Sequence, residues 1–424
     1  ILVIGNGGRE HAILWKLAQS SIVESLYCYP GSAGTSTIAE NIDVANNDEN
    51  WQALINICQN KKIDWVFVGP EQPLSEGVVD ALAAAGIPAF GPHAQAAKLE
   101  SSKQFSKEFM VRNGLPTAAA SVINNEKELT EYIDAANGKM LVLKKSGLAA
   151  GKGVLESSDR ETLLDFGQKV LESDSLVAEE YLTGYEVSLF TLGNDSDYLL
   201  LPSCADYKKA GDNNTGPNTG GMGAICPVPW FDDAMLARAK KEIIEPTHQA
   251  LRKEGLAYCG VLYFGLMITQ EGPKLLEYNV RLGDPEAEIL MPMIDGDLVT
   301  ICHNLLKKEP IDIPSKPAHG CAVTVVAAAP GYPSDYKKGI PVEITPLSQA
   351  DKNQQTEMGT IFHASTITDA QGQLLTNGGR CFAATGWGSN TDDARGAAYN
   401  QVERINFDGV WYRKDIGTRV GQNQ

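Results

Sequence analysis

Four short apolar runs open the chain, and each is closed by glycine or proline: Ile1-Leu2-Val3-Ile4, Leu26 to Tyr29, Trp65 to Val68 and Ile87 to Phe90. Segments with helical patterning lie between them, among them Arg9 to Gln19 and Val78 to Ala85. Short apolar strands alternating with helices predict βαβ units and a parallel sheet over residues 1 to about 95.

The pattern then changes. Ser101 or Ser102 is expected to cap a helix carrying Phe105, Phe109 and Met110, which stops at Asn113-Gly114 before Pro116. Met140 to Lys144 reads as a strand, Gly147 to Gly153 as a glycine-rich loop and Val154-Leu155 as the return strand. Ser158 and Glu161 match a capping box for a helix to about Leu171. Val177 to Leu182 reads as extended, and Val187 to Leu192 with Tyr198 to Leu201 as a hairpin around Gly193-Asn194. Residues 211–223 read as a polar loop and 232–254 as helical, and Gly260 to Thr269 pairs with Pro273 to Val280 around Glu271-Gly272. Beyond about residue 315, Cys321 to Ala329, Gly359 to Ile367 and Arg380 to Thr385 are strand-like. Thr391 to Ile405 reads as a helix with Ala394, Ala398, Val402 and Ile405 on one face. The expected class is α/β followed by α+β, divided near residues 100 and 315.

With 424 residues, 43% of them hydrophobic, the chain can bury sizeable cores without metal or disulfide staples. Its net charge of −17 repels phosphate backbones and anionic lipid, so nucleic acid and membrane are disfavoured as partners. A local basic pocket for a small phosphate ester is not excluded. The longest apolar run, Cys321 to Ala329, is too short to span a bilayer. Ile1 opens directly on a strand-like run with no basic region before it, so no secretory signal is expected, and the absence of Met suggests a residue or two upstream. Eight scattered cysteines contain no CxxC, as buried thiols of a reducing cytoplasm would.

Several motifs carry chemistry. Gly5-Asn6-Gly7-Gly8-Arg9-Glu10 places a glycine turn before a helix, where backbone N–H groups meet an anion. Glu10 stands where a dinucleotide fingerprint needs its third glycine, and the next strand ends at Tyr29-Pro30-Gly31 with no acid for a ribose diol. A nicotinamide site is therefore disfavoured, and Arg9 favours a phosphate ester over a bare structural turn. Gly147 to Gly153 departs from a P-loop, because Gly153 replaces the Ser/Thr and a strand follows. Between antiparallel strands it can be a flap that folds its amides and Lys152 over a triphosphate, or an ordinary hairpin. Lys144 and Lys145 point to opposite faces of their strand.

Glu277, Asn279 and Arg281 alternate along Leu275 to Arg281 and share a face. A carboxylate beside an amide oxygen suits Mg²⁺, which keeps waters and nucleotide phosphates as its other ligands; a solvated strand face is the plain alternative. Gly283-Asp284-Pro285-Glu286 adds charge at the following turn. Thr215 to Gly223 is a loop of backbone donors that a substrate carboxylate or phosphate, or simply a tight turn, would order. No histidine has a partner suited to catalysis, and all six read as core or surface residues.

Taken in order, these segments resemble the glycinamide ribonucleotide synthetase (phosphoribosylamine–glycine ligase) family of ATP-grasp enzymes. The resemblance runs nearly end to end: Gly5 to His11, Gly69-Pro70-Glu71, the Lys103 segment, Gly147 to Val154, Glu179-Glu180, Thr215 to Ala224, Arg281 to Glu286, Thr376 to Arg380 and Arg413 to Gly417. It implies a Rossmann-like N-terminal domain (1–100), an ATP-grasp domain (101–315) with a mobile lid at about 120–187, and a mixed α+β C-terminal domain (316–424). It implies that Lys103 and Lys144 contact ATP phosphates, with Gly151, Lys152 and Gly153 as the closing flap. Glu179, Glu180, Tyr181 and Leu182 would form the adenine hinge, Glu186 would hold the ribose, and Glu277 with Asn279 would hold Mg²⁺ or Mn²⁺. Asp206, Lys208, the loop containing Asn218, Thr219, Gly220 and Gly221, and Arg281, Asp284 and Glu286 would line the amino-acid and ribosyl phosphate side. Lys144, Arg281, Asp284 and Glu286 would carry catalysis, while Gly7, Gly8, Arg9 and Glu71 would meet phosphoribosylamine.

The implied reaction joins glycine to 5-phosphoribosylamine through glycyl phosphate, with ATP consumed and small molecules as the only partners of a cytoplasmic monomer or weak homo-oligomer. Four positions depart from the family pattern: Lys145 replaces a small residue, Tyr207 a histidine, Asn214 an aspartate and Ser32 an asparagine. A nicotinamide-dependent dehydrogenase, another ATP-grasp ligase and a non-catalytic nucleotide sensor are the rival readings. Retention of Lys144, Glu277 and Asn279 together weighs against the sensor.

Overall fold

The computed structural model describes residues 1–42, 49–149, 153–311, 317–346 and 358–419. Strands β1 (Leu2–Gly5), β2 (Tyr27–Pro30), β3 (Glu40–Asn41), β4 (Val66–Val68) and β5 (Ala89–Phe90) form a parallel sheet in the order β3-β2-β1-β4-β5. Helices α1 (Gly8–Leu17), α2 (Gln52–Asn60), α3 (Glu71–Ser75) and α4 (Val78–Ala84) connect it, as the alternating pattern predicts. The chain leaves β1 toward β2 on one side and returns to β4 on the other. The order therefore reverses at β1, and such a switch point opens a crevice at the carboxyl end of the strand. The Gly5-Asn6-Gly7 turn lies there, with α3 starting at Glu71 just beyond β4.

Two helices, α5 (Ala94–Ser101) and α6 (Lys103–Arg112), follow. Ser102 caps α6 by accepting the Phe105 N–H at 3.2 Å. A second sheet contains β6 (Ala120–Ile123), β7 (Leu141–Lys145), β8 (Val154–Ser157) and β9 (Leu176–Glu180), ordered β6-β9-β7-β8 and antiparallel throughout. Helices α7 (Glu126–Ala136) and α8 (Arg160–Leu171) cover it. Asp159, not Ser158, caps α8: its Oδ1 accepts the Thr162 N–H at 2.8 Å. Ile123, Leu129, Ile133, Leu141, Leu143, Leu163 and Leu176 give this unit a core of its own.

A third sheet is built on β10 (Tyr185–Asn194), whose ten residues pair antiparallel with β16 (Cys259–Thr269); β11 (Tyr198–Leu200) and β17 (Gly272–Asn279) flank them. Both hairpins expected from the sequence are present. The segment read as a polar loop is more ordered than expected. It follows β12 (Ala205–Asp206) and contains part of β13 (Lys209–Gly211), then β14 (Thr215–Asn218) and the start of β15 (Gly223–Cys226). β13 pairs with β14, whereas β12 and β15 join a larger antiparallel sheet ordered β12-β15-β18-β23-β20. Its later members are β18 (Cys321–Ala328), β20 (Gly359–His363) and β23 (Arg380–Gly388); β19 (Glu343–Ile344) pairs with β24 (Ile405–Asn406), and β21 (Thr366–Thr368) with β22 (Leu374–Thr376). One sheet thus draws strands from either side of residue 315.

The 232–254 helical segment is α9 (Asp233–Ala239) and α10 (Glu245–Lys253), joined by a π-turn over Lys240–Ile244. Helices α11 (Glu286–Met293) and α12 (Leu298–Lys307) follow, and α13 (Thr391–Val402) ends before Ile405, which lies in β24 instead. α11 packs between α1 and the large sheet. Val3, Ile13, Leu14, Leu290, Phe362 and Trp387 consequently share one core. Among the described residues no helix is long and apolar enough to cross a membrane.

Candidate active site

Lysines and one glutamate hold the first cluster. Lys144, next to last in β7, has 8% of its surface exposed, and its Nζ is 2.8 Å from Glu179 Oε2. Lys107, one turn along α6 from Lys103, reaches Glu179 Oε1 at 2.8 Å and donates to Thr117 Oγ1 at 2.6 Å. Burial opposes a charge on Glu179, but Lys144 and Lys107 outweigh it and hold the carboxyl below its usual range. Lys103 begins α6, with its amide donating to Ser146 O at 2.8 Å. Burial pulls Lys103 down, Glu277 pulls it back up, and Lys144 opposes its charge. The cluster thus gathers the ammonium groups of Lys103, Lys107 and Lys144, an arrangement suited to polyphosphate.

The glycine-rich loop leaves from the same place. Gly147 N–H donates to Asp174 Oδ2 at 2.9 Å, and Lys145 N–H donates to Gly153 O at 2.8 Å. Gly151 and Lys152 lie outside the described residues. Exposed apolar side chains lie on the loop stem and after β9: Leu148, Val154 and Tyr181. Glu180 accepts the Ala119 N–H at 2.9 Å, and Leu182 is half-buried. Glu186 on β10 forms an ion pair with Lys208, which holds the glutamate below its usual range. The Lys208 carbonyl accepts both the N–H and the Oγ1–H of Thr219, at 2.7 and 2.8 Å, and so docks the Asn218–Gly221 loop.

On β17, Glu277 lies opposite Gly265 and Asn279 opposite Tyr263. The amide orientation that satisfies its neighbours puts Asn279 Nδ2 3.0 Å from Glu100 Oε1 and turns the oxygen away. Arg281 follows, with one guanidinium nitrogen 2.8 Å from Glu100 Oε1 and Nε 3.3 Å from Glu71 Oε2. Arg9 approaches the same Glu71 oxygen at 3.8 Å, bonds Glu10 Oε1 at 2.7 Å and donates to Leu282 O at 3.0 Å. Burial would raise Glu71, but Arg281 and Arg9 hold it low. The β1–α1 turn, α3 and the end of β17 therefore meet in one acid–guanidinium network.

The third cluster is dominated by acids. Arg380 of β23 holds Asp284 through Oδ1 at 3.0 Å and its backbone oxygen at 2.9 Å, and it also bonds Gly220 O. Glu286 is 4% exposed and accepts the Ser188 hydroxyl at 3.3 Å. Among the described residues Asp206 Oδ1 has no hydrogen-bond partner. Burial, reinforced by Glu286, pushes the Asp206 carboxyl up to about 8, and burial raises Glu286 too. A set of buried, under-compensated carboxyls suits a cationic group such as an ammonium.

The sequence reading missed Lys107, Glu100 and Arg380 as site residues. Lys107 carried a signal, its spacing of four from Lys103; Glu100 and Arg380 acquire meaning only from partners remote in sequence. Two of the departures turn from the cleft toward the C-terminal segment: Tyr207 donates to Thr418 O at 2.6 Å, and Asn214 accepts from Arg413 at 3.3 Å. Ser32 bonds locally to Thr35. His11 is buried and pushed down to about 3, with Nδ1 accepting the His363 N–H at 2.9 Å, a neutral structural role.

Comparison with known proteins decides the family. Models of phosphoribosylglycinamide synthetase match in succession, the N domain over residues 1–100, the ATP-grasp (A) domain over 101–287 and the C domain over 322–419. The chain belongs to the phosphoribosylglycinamide synthetase family. A phosphoribosylamine–glycine ligase of Vibrio cholerae is 39% identical to it, over 99% of this chain and 98% of that protein. The trifunctional purine biosynthetic protein adenosine-3 of Gallus gallus is 42% identical over 99% of this chain, which spans 42% of that relative's length. The crystal structure of phosphoribosylamine–glycine ligase from Thermotoga maritima superposes with a TM-score of 0.83 at 33% identity, covering 98% of this chain and 99% of that one. In phosphoribosylglycinamide synthetase terms, the lysine cluster and β17 belong to the A-domain match, Arg9 and Glu71 to the N domain and Arg380 to the C domain.

Proposed function

We propose that this chain ligates glycine to 5-phosphoribosylamine, converting ATP to ADP and phosphate and forming glycinamide ribonucleotide. The observation that carries the reading is the family match over residues 1–287 and 322–419, together with a phosphate-suited lysine cluster linked through Glu186 and Lys208 to the acid cluster. A carboxylate is a poor electrophile, so the first step moves the γ-phosphoryl of ATP onto glycine. This makes an acyl phosphate and releases ADP. The substrate amine then attacks the acyl carbon and expels inorganic phosphate.

In this scheme Lys103 and Lys144 orient and neutralise the phosphates, with Glu179 and Lys107 fixing Lys144 in place. Glu179 to Leu182 contact adenine through their backbone, and Glu186 holds the ribose. Gly151 to Gly153 close over the phosphates and keep water from the intermediate. Glu277 and Asn279 fit a divalent cation: the glutamate offers a hard oxygen, and the Asn279 nitrogen is occupied by Glu100, which leaves its oxygen as donor. Among the described residues no group of three or more His, Cys, Asp or Glu is placed to hold a metal ion by itself. Bound there, Mg²⁺ or Mn²⁺ would offset charge on the phosphoryl oxygens. Asp206 and Glu286 meet the glycine ammonium, and Lys208 with the Asn218–Gly221 loop orients its carboxylate. Arg281 and Asp284 position the reacting groups, and Gly7, Gly8, Arg9 and Glu71 take the ribosyl phosphate.

The proposed domains are 1–100, 101–315 with a lid at about 120–187, and 316–424. The proposed setting is the cytoplasm, as a monomer or weak homo-oligomer acting on small molecules without nucleic acid or membrane. Incubation with Mg²⁺-ATP, glycine, ribose 5-phosphate and ammonia tests the reading by mass spectrometry. Glycinamide ribonucleotide is the expected product; ADP release without it would contradict the substrate assignment.

A further inference from the structure

Glu288 is the third residue of α11 and is fully buried, and neither of its carboxylate oxygens has a hydrogen-bond partner among the described residues. Its place is specific. A methyl group built on Gly8 would collide with Glu288 Oε1, so the carboxyl lies against the first turn of α1. That turn begins at the crevice of the parallel sheet. The Gly8 and Arg9 amides there have no intrahelical acceptor, whereas Gly7 N–H is taken by Glu10 Oε2 at 2.7 Å. A helix start with the Arg9 guanidinium beside it is an anion site; Asp284 Oδ2 lies near Gly7, and Glu288, unpartnered among the described residues, lies against Gly8, so both acids enter its charge balance.

The charged and titratable groups around Glu288 come from every packed element. α1 brings Arg9, Glu10 and His11, β23 brings Arg380 and Cys381, and β15 and β18 bring only Cys226 and Cys321. Asp284 and Glu286 stand on its own segment. Burial and then Asp284 push the carboxyl well above its ordinary range, against the pull of Arg380 and Arg9. Glu288, buried and unpartnered among the described residues, thus resists ionisation more than an ordinary carboxyl.

We propose that the first turn of α1 takes the phosphate of the ribosylamine substrate and that Glu288, beneath the turn, sets its affinity by admitting the anion only while uncharged. The proposal rests on the ligase reading above. Ionised, Glu288 would set a second negative charge against a phosphate dianion in a poorly solvated place and cancel one of the guanidinium groups. Glu288 is a positioning residue that acts through the turn.

Calorimetric binding of ribose 5-phosphate between pH 7.5 and 9.5, where the phosphate is already largely dianionic, tests it on the full chain. Wild type should lose affinity as rising pH charges Glu288, and Glu288→Gln should change by less than about twofold over the same range. The same profile in both proteins overturns the proposal. So does wild-type affinity that stays level or rises with pH, a result readable without any variant, or a lack of binding at every pH. Product formation measured in parallel separates the readings: turnover with identical pH profiles sinks the Glu288 role and leaves the ligase standing, whereas absence of glycinamide ribonucleotide sinks the ligase itself.

Discussion

At Glu179 one carboxylate serves two ammonium groups, each at 2.8 Å, in a place with almost no water. Removing one lysine leaves the other pair intact, so the cost falls below that of a fully broken buried pair. We expect Lys107→Met to destabilise the β6–β9 unit by about 2 kcal/mol and to raise the KM for ATP, with Lys144 less firmly held. Denaturant unfolding read alongside ATP kinetics checks both; unchanged KM would contradict the positioning role. Glu277→Ala should lower kcat on the order of 100-fold or more by misplacing metal-bound ATP, while the chain stays folded. Near-normal turnover in that variant would remove Glu277 from the metal site.

Among the elements, the β6–β9 sheet with α7 and α8 stands out because its core is its own. A unit that shares little apolar surface with its neighbours can move or open separately. Gly167 in α8 packs so closely on α7 that an added methyl would meet the Leu129 side chain. Gly167→Val should therefore cost about 1–3 kcal/mol in this unit alone. Hydrogen exchange should accelerate across residues 120–180 and stay unchanged in β1; acceleration in β1 as well would show that the unit does not open independently. The parallel sheet, the β7–β8 strand pair and the β16–β17 hairpin were legible in the sequence, because apolar runs and turn residues mark them locally. β12, β14 and β15 were not, since such short segments become strands only by docking, β14 on β13, β15 on β18 and β12 on β15. The cap of α8 fell one residue late for a related reason: serine and aspartate adjoin, and only geometry chooses between them. Lys144 and Glu277 could be singled out from their motifs, and Lys103 from the family resemblance. Lys107, Glu100 and Arg380 matter through pairings between remote segments, which spacing does not reveal.

For the whole molecule, the site is also a liability. Asp206 holds its proton up to about pH 8 when folded and releases it near pH 4 when unfolded. A raised carboxyl contributes most stability below the unfolded value, so stability falls as pH rises from about 4 to 8 and then levels. Asp206→Asn should thus be more heat-stable than wild type by about 2–4 °C at pH 8.5, with the difference vanishing near pH 4, and should turn over poorly. A difference that does not vary with pH would contradict this assignment of the proton. The three clusters draw on the parallel sheet, the β6–β9 sheet, β17 and the large sheet, and the activity proposed for them is activation of a carboxylate. Isotope transfer tests that claim most directly: with glycine labelled by ¹⁸O in its carboxylate, turnover with ATP and phosphoribosylamine should deliver one labelled oxygen into each inorganic phosphate released. Phosphate without the label, alongside normal product formation, would contradict an acyl phosphate.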